Sequence, residues 1–543
     1  MSRSSKQYWA ERGAELEKLV DRGCRATSAE LGKLYDDALA SILGRIRRLY
    51  KRFTDGYGVT PRELEGLLSA TQTREARQEL EKLLEDCDDP NLRAELLKKL
   101  DAPAYGYRIA RLEALRDQVY FDAKAVGVQE VKYDAARLMD VYKTAYARTS
   151  FDLSQSIGRQ IPFSPITNRR AARAIRQYWS PSVDDVAKNF SQRVWGNTTQ
   201  LAENVREIVT RGLMTGESYR DMAEELQAQM GDVGAQKVIQ PDGSTRTVLT
   251  GSGAKYRATR LIRTEGNHIS GQAVVERFED AGIEKYLYRA LLELRTCKRC
   301  GGLDGKSFPV SEQKVGVNMH PMHPNCRCFI SPDMTPEELA EITRSAQTGA
   351  DNWDFIPADM TWEEWRKKYE DGNPEMEAQE KMDRNRAKDR EQWRDFKDTL
   401  GKDAPKSLAD FQKMKYTEPE KWGELKTEYR VESAHKQIEA EIQKGPDNDD
   451  FGAVVRKNHI GLRKYTPESM KNALEQAGFT IQPLNRGNYK GVPFEQGGGY
   501  KTNYGGNGIF QYHPPAHSHH GGAYWKVNDT KEQRRYGMDG TEK

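Results

Sequence analysis

Four of the six cysteines in this chain fall between residues 297 and 328, and this cluster constrains the fold more than any other feature of the sequence. Cys297 and Cys300 form a C-x-x-C pair, and Cys326 and Cys328 form a C-x-C pair further along. In a reducing compartment, thiols grouped in this way indicate a metal site or a structural thiol group before they indicate disulfides. We therefore predict that the two thiol-bearing loops, distant in sequence, meet in the folded protein.

The ion that best suits this cluster is zinc. A C-x-x-C pair lets two thiolates bind one ion from a tight turn, and a second pair of donors completes a tetrahedral shell. The first two ligands are predicted to be Cys297 and Cys300. The sequence leaves the other two open among His320, His323, Cys326 and Cys328. Since no partnered general base lies nearby in the sequence, we expect a structural zinc. The alternative is that the thiols pack as small apolar groups or form disulfides outside the cell.

Length and residue pattern predict a multidomain protein. A chain of 543 residues exceeds the usual size of one hydrophobic core. Apolar residues at spacings of three and four predict a helical region over residues 1–107, in which Thr27 and Glu30 are expected to cap the first long helix. Residues 108–335 are predicted to form an α+β core. Two β-prone runs around the Pro241-Asp242-Gly243 turn predict a β-hairpin arm on this core.

The rest of the chain differs in composition from the core. Residues 336–445 are rich in charge and are predicted to form a helical linker. Residues 446–543 are predicted to form a small α+β domain. The predicted fold class is therefore a mainly α N-terminal region, an α+β core with a β-hairpin arm, and a small α+β C-terminal domain.

Charge and hydropathy limit the partners. The net charge of +3 is too small to make the whole surface attractive to nucleic acid. Local basic clusters are candidates for phosphate contacts, namely Arg45, Arg47 and Arg48 in one helix and Arg169 and Arg170 in another. The alternative is that these cations only complement helix C-termini. No secretion signal or membrane-spanning stretch is recognised, so we expect a chain made in the cytoplasm that contacts no membrane.

The C-terminal domain concentrates histidine. Candidate catalytic residues are His513, His517, His519, His520 and Lys526, and candidate phosphate contacts are Arg534 and Arg535. Imidazole transfers protons near neutral pH, and cleavage of RNA needs little more than a base, an acid and a cation. The alternatives are a metal that only stiffens this loop, or an exposed polar turn. The glycine run before it lacks the Gly-Lys-Ser/Thr ending of a phosphate loop.

The residues around the cysteines carry a resemblance to a known family. The segment Arg263-Thr264-Glu265 with Asn267, the segment RTCKRCGGLDGKSFPV and the segment HPNCRCFISP occur in one order. Together they resemble the phage head-morphogenesis family, which includes Mu F-like minor head proteins. The resemblance covers residues 1–430 and is strongest over residues 180–335. One departure is Tyr286-Leu287-Tyr288, where a tryptophan-containing strand is common in the family.

This resemblance implies a virion protein made in the host cytoplasm and placed inside the head at the portal vertex. It implies binding to the portal protein, with scaffold or capsid proteins and genomic DNA as further candidate partners. The implied roles are head assembly, DNA packaging and DNA delivery.

The C-terminal segments GGGY, YHP and SHHGGAYWK give a second resemblance. They are similar to small nuclease domains of polymorphic toxins, which implies a nuclease activity and an immunity protein. The combined prediction is a minor head protein with an appended toxin-like domain. The alternative is a phage-delivered nuclease effector that uses the head-protein region as a carrier.

Overall fold

A computed structural model of the protein describes residues 3–53, 67–87, 89–102, 110–157, 166–180, 186–215, 217–231, 233–239, 245–487, 489–515, 522–528 and 532–543. The chain forms two compact units, Met1–Glu370 and Asp371–Lys543. The predicted fold class is confirmed, because helices dominate the first part, short sheets follow in the middle, and an antiparallel sheet with helices ends the chain. The finer division into four parts stays a prediction.

Long helices dominate the first unit. In chain order they are α1 (Arg3–Phe53), α2 (Ala70–Asp86), α3 (Pro90–Leu100), α4 (Arg111–Ile157), α5 (Asn168–Ile175), α6 (Phe190–Met214), α7 (Tyr219–Met230) and α8 (Ala254–Ala281). With 51 residues, α1 is about 75 Å long. Helix α8 packs against α1, α4 and α6 and is buried along most of its length. None of the helices in the described residues is both long and apolar enough to cross a membrane.

The predicted start of the first long helix is wrong. Thr27 and Glu30 lie inside α1, which runs without a break from Arg3 to Phe53. The Thr27 side chain is buried, and its hydroxyl accepts a hydrogen bond from Arg137 Nε at 3.0 Å. This tertiary contact accounts for a threonine at a position that the local pattern reads as a cap.

The predicted hairpin is confirmed. Strands β1 (Val233–Ile239) and β2 (Thr245–Ser252) pair antiparallel, with Ile239 opposite Thr245 and an irregularity between Gly234 and Ala235. The Pro241-Asp242-Gly243 turn lies outside the described residues.

Two small sheets follow α8. Strand β3 (Lys285–Arg289) lies between β4 (Ser307–Pro309) and β5 (Phe329–Pro332), and all three are antiparallel. The short helix α9 (Lys298–Gly301) precedes β4, and α10 (Pro336–Ala340) follows β5. Strands β6 (Thr343–Gln347) and β7 (Trp353–Pro357) form a second sheet, and α11 (Trp362–Trp365) continues into a π-helical turn.

The two largest apolar clusters among the described residues of the first unit both include residues of α1. One contains Tyr35 and Ile42 from the second half of α1, packed with the helices before the hairpin. The other contains Leu16 and Val20 from the first half of α1, packed with α4, α8, β3 and β5. The long helices therefore support the small sheet directly, and this sheet positions the cysteines.

The second unit begins with helices. They are α12 (Pro374–Leu400), α13 (Leu408–Thr417), α14 (Pro419–Ile442), α15 (Phe451–Lys457) and α16 (Pro467–Gln476). The predicted charged linker, residues 336–445, includes α12, α13 and α14. The last turns of α12 bury Phe396 in an aromatic cluster with Phe411 and Trp422.

The sheet of the second unit has one buried and one polar face. Its strands are β8 (Gln482–Pro483), β9 (Tyr500–Tyr504), β10 (Gly508–His513), β11 (Tyr524–Asn528) and β12 (Gln533–Gly537), in the order β12-β11-β10-β9-β8. Alternate residues such as Phe510, Tyr512 and Trp525 point to the apolar core with α15 and α16. The residues between them therefore point to the opposite face.

Candidate metal centre

The two cysteine loops meet beside β3. Cys297 caps α9 and Cys300 lies within it, whereas Cys326 and Cys328 lie in the loop that leads into β5. Because β4 and β5 both pair with β3, the segments that carry the thiols are brought to one place. The Sγ atoms of Cys300 and Cys326 are 3.9 Å apart. The predicted meeting of the two loops is therefore confirmed.

Three donor atoms at a time lie near the spacing of a zinc shell. Two groups of three donors share Cys300: Cys297, Cys300 and His323 form one, and Cys300, Cys326 and Cys328 form the other. Within each group the donor atoms lie within 4.8 Å of one another. Ligands bound to one zinc at about 2.3 Å for sulfur and about 2.0 Å for nitrogen lie roughly 3.5 to 3.8 Å from each other. Each group thus brings three donors near the spacing of a zinc shell, and among the described residues no four donors reach that spacing together.

His323 is oriented as a metal ligand. Its Nδ1–H donates to the carbonyl of Pro324 at 2.8 Å, which leaves Nε2 directed at Cys300 Sγ, 3.4 Å away. A hydrogen bond at one ring nitrogen is how proteins fix the tautomer of a ligating histidine. The contact with Cys297 raises the pKa of His323 to about 9.

Two of the four thiols, those of Cys297 and Cys326, favour the ionised form that metals bind, whereas hydrogen bonds to Cys297 and Cys326 raise the pKa of Cys300. A hydrogen bond from Cys300 and the neighbouring His323 lower the pKa of Cys297 to about 4. Hydrogen bonds from Cys300 and Cys328 hold the pKa of Cys326 well below its usual value. Because ligating cysteines must be thiolates, this arrangement suits a soft cation.

The centre is closed to water on its inner side. Cys300, Cys326 and Cys328 are buried, and the ring of Tyr288 packs against them. Burial and the neighbouring thiols, chiefly Cys328, raise the pKa of the Tyr288 hydroxyl. A closed, sulfur-rich shell is typical of structural zinc, because a catalytic ion keeps an open position for water. In the sequence, Tyr288 stands out only as a departure from the family pattern, and its place at the centre was not predicted.

Helix α8 fixes the loop that carries the second cysteine pair. Asn267 Nδ2 donates to the carbonyl of Cys328 at 3.0 Å, and Thr264 Oγ1 accepts from the amide of Asn325 at 3.0 Å. Asn325 needs this support because its φ of 63° lies in the left-handed region. The Arg-Thr-Glu and Asn segment of the sequence is therefore the clamp for the loop.

His320 is placed apart from the thiols. Its Nδ1–H donates to Asn267 Oδ1 at 2.7 Å, and burial lowers the pKa of its imidazole to about 4. It belongs to neither of the two donor groups. Of the six predicted ligands, the structure brings together four cysteines and His323, and it uses His320 to hold Asn267.

A buried carboxylate ties the centre to the second small sheet. Asp304 accepts from the amide of Ala290 at 2.9 Å, from Arg344 at 2.8 Å and from the amide of Trp362 at 3.0 Å. Arg344 also donates to the carbonyl of Ala290. These bonds join β3, β6 and the start of α11. Asp304, in the Leu-Asp-Gly-Lys segment between the cysteine pairs, thus joins the two small sheets. The sequence pattern did not predict this role.

A second set of buried acids lies in the helical core, at Glu130 and Asp134 of α4 and Glu265 of α8. Glu265 accepts from Arg193 at 2.6 Å and from the Trp179 indole at 3.0 Å. Glu130 accepts from the Tyr35 hydroxyl at 2.6 Å. Burial raises the pKa of Glu130 to about 7, against the opposing effect of the Tyr35 hydrogen bond.

Glu130→Gln is expected to stabilise the protein at pH 8 and to have no such effect below pH 4.5. A carboxyl whose pKa is raised by folding weakens stability as pH rises from its unfolded value to its folded value. One pKa unit corresponds to about 1.4 kcal/mol, so the gain at pH 8 reaches about 3 kcal/mol. Urea unfolding at both pH values measures it. The exposed Glu30→Gln is the control, and an equal response of the two variants would contradict the burial argument.

In each of the two predicted basic clusters, one arginine forms ion pairs with neighbouring carboxylates. Arg45 pairs with Asp122 and Glu79, and Arg170 pairs with Glu276 and Asp280. Within the described part of the chain, Arg47, Arg48 and Arg169 make no ion pair.

The predicted catalytic residues are only partly described. His517, His519 and His520 lie outside the described residues. His513 stacks on Tyr524 with ring centres 4.6 Å apart and contacts Gln511 Oε1 at 3.1 Å. Lys526 lies on the next strand, opposite Gln511.

The two predicted phosphate contacts on β12 have different surroundings. Arg534 pairs with Glu532 and Glu542. Arg535 faces the other side of the sheet, opposite Lys526.

The fold and the centre together define a helical protein with an embedded thiol-rich α+β module. Residues 203–331 match the family described as Phage Mu protein F like protein. This stretch runs from α6 to β5 and includes the clamp on α8 and all the candidate ligands. Residues 203–331 therefore form a domain of the Phage Mu protein F-like family. Neither a curated protein nor a solved structure matches the chain.

Proposed function

We propose that this protein is a minor head protein of a phage, located inside the head at the portal vertex. The observation that carries the proposal is the match over residues 203–331, which coincides with the module that the long helices hold in place. The protein acts in head assembly by binding the portal protein, and scaffold or capsid proteins are further partners. Arg47, Arg48 and Arg169 are the candidates for contact with packaged DNA, because their charge is not used in ion pairs with described residues.

The thiol cluster holds a structural zinc in this proposal. Cys300 belongs to both donor groups, so it is the ligand best placed to join them at one ion. The remaining ligands come from Cys297, His323, Cys326 and Cys328. When bound, the ion cross-links α9 to the loop before β5. The module would thereby keep a fixed shape during assembly.

Co-purification with the portal protein tests the head-protein proposal. The chain and the portal protein of the same genome are expressed together, with an affinity tag on the portal protein only. We expect the full chain to elute with the portal protein and to be found in purified virions by mass spectrometry. Its absence from both would overturn the proposal.

A second function is proposed for the C-terminal unit, in which it cleaves nucleic acid and is neutralised in the producing cell by an immunity protein. The favouring observation is that the His513 imidazole and Lys526 lie on one face of the sheet, a base or acid beside a cation. Incubation of the full chain with labelled RNA and DNA tests it. We expect cleavage that His513→Ala abolishes and that His459→Ala, on a histidine stacked against Tyr536, preserves. Intact substrates would exclude the activity.

A further inference from the structure

The polar face of the C-terminal sheet carries a row of cations in register. Lys501 of β9 lies opposite Gln511 of β10, Gln511 lies opposite Lys526 of β11, and Lys526 lies opposite Arg535 of β12. Directly paired residues point to the same face of a sheet. Three cations and one amide therefore form a line across four neighbouring strands, with Arg486 close to Lys526 at its side.

None of the described residues neutralises the charge of this row by an ion pair. None of Arg486, Lys501, Lys526 and Arg535 forms an ion pair with a residue that the structure describes. Arg535 Nε is buried and has no acceptor among those residues. Burial, together with the nearby Arg535 and Arg486, lowers the pKa of Lys526. Cations that repel one another in a partly buried place are costly unless an anion binds there.

The dimensions of the row fit an extended polyanion better than a single small anion. Neighbouring strands lie about 4.8 Å apart, so the row from Lys501 to Arg535 is about 14 Å long. A nucleic-acid strand in a helix carries one phosphate per about 3.4 Å of axis, and the row therefore spans several phosphates. At the end of β10 the His513 ring, stacked on Tyr524, offers a flat surface on which an unpaired base can stack.

We propose that this face binds the phosphate backbone of a single nucleic-acid strand through Arg486, Lys501, Lys526 and Arg535. The inference rests on the second function proposed above for its class of ligand, and it names the surface that holds the strand. Binding needs no cleavage, so the two are measured separately. Arg534, on the opposite side of β12, is excluded from the surface because Glu532 and Glu542 already share its charge.

The test measures binding of the full chain to fluorescent single strands of about 20 nucleotides, as RNA and as DNA, by anisotropy. Salt is varied from about 50 to 300 mM.

Lys526→Gln/Arg535→Gln is compared with Lys457→Gln/Arg534→Gln, which removes the same charge. Lys457 ends α15, which packs on the opposite, buried face of the sheet. Lys526→Arg, which keeps the charge, checks that the position tolerates substitution, and each reaction is also run on a gel for cleavage.

We expect the first double variant to lose at least about tenfold in affinity, and its salt slope to fall by about 0.7 for each contact removed. The control double variant and Lys526→Arg should bind within about twofold of the original chain. Binding without cleavage supports the surface and counts against the second proposed function. The inference is overturned if the full chain binds neither strand, if both double variants bind alike, or if duplex DNA is bound more tightly than either single strand.

Discussion

Asp304→Asn is expected to lower the free energy of unfolding of the first unit by about 3 to 5 kcal/mol. The carboxylate is fully buried and is the ion-pair partner of Arg344, which is itself buried. An asparagine keeps the shape but removes the charge, and its amide NH₂ would face other donors. Arg344 would then stay buried without a counter-charge, which is the costly case for a buried ion pair.

Guanidinium-induced unfolding, followed by tryptophan fluorescence, measures this effect because the amide of Trp362 donates to the substituted side chain. The control is Asp359→Asn, at an exposed aspartate just before α11, and this substitution should leave the free energy of unfolding unchanged. In Asp304→Asn/Arg344→Met neither charge remains, and part of the lost stability should return. If Asp304→Asn is as stable as the control, the ion pair does not hold the two small sheets together.

Asp304 illustrates what the sequence could not provide. Its segment was recognised by resemblance, yet nothing in the spacing of residues indicates that an aspartate between two cysteine pairs pairs with Arg344, forty positions later in the chain. Such a bond depends on the segment after β3 lying beside β6, where Leu292 and Ala346 form a β-bridge. The C-x-x-C spacing, in contrast, is a local pattern with a direct geometric meaning, and its prediction of two loops that meet is confirmed.

The two histidines of the second cysteine loop also show that tertiary contacts decide the role of a residue. From the sequence alone, His320 and His323 are equally good candidates for a metal ligand. In the structure, Asn267 on α8 accepts from His320, whereas the carbonyl of Pro324 orients His323 toward Cys300. Only the fold distinguishes a donor that faces the thiols from one that supports the loop. The capping prediction at Thr27 failed for a related reason, since Arg137 is 110 positions away.

For the C-terminal sheet, the sequence predicted a small α+β domain but not the surface. Alternation of buried and partly exposed residues in β9 and β10 follows the period of two that a half-buried strand requires. The histidine-rich segment, in contrast, was predicted to be a catalytic site from its composition alone. That Lys501 shares a row with Arg535 follows only from the register of four strands, which no local pattern records.

Cys300→Ser is expected to abolish zinc binding and to lower the melting temperature of the first unit by about 10 °C or more. Its Sγ is the atom common to both donor groups, and a serine hydroxyl is a poor replacement for a thiolate at a zinc ion. Without the ion, the thiolates of Cys297 and Cys326 would repel one another beside the buried Tyr288 ring. We expect elemental analysis to find about one zinc per original chain and almost none per variant chain.

The matched control is Cys87→Ser, at a buried cysteine far in sequence from the cluster, which should retain zinc. His320→Ala should also retain zinc but bind it more weakly, because Asn267 loses the donor that orients it. Single substitutions of Cys297, His323, Cys326 and Cys328 identify the remaining ligands by the loss of metal. A strong chelator should reproduce the melting temperature of Cys300→Ser in the original chain and leave that of the variant unchanged. A metal-free chain that melts at the same temperature as the zinc-loaded chain would mean that the thiols hold the loops by packing alone.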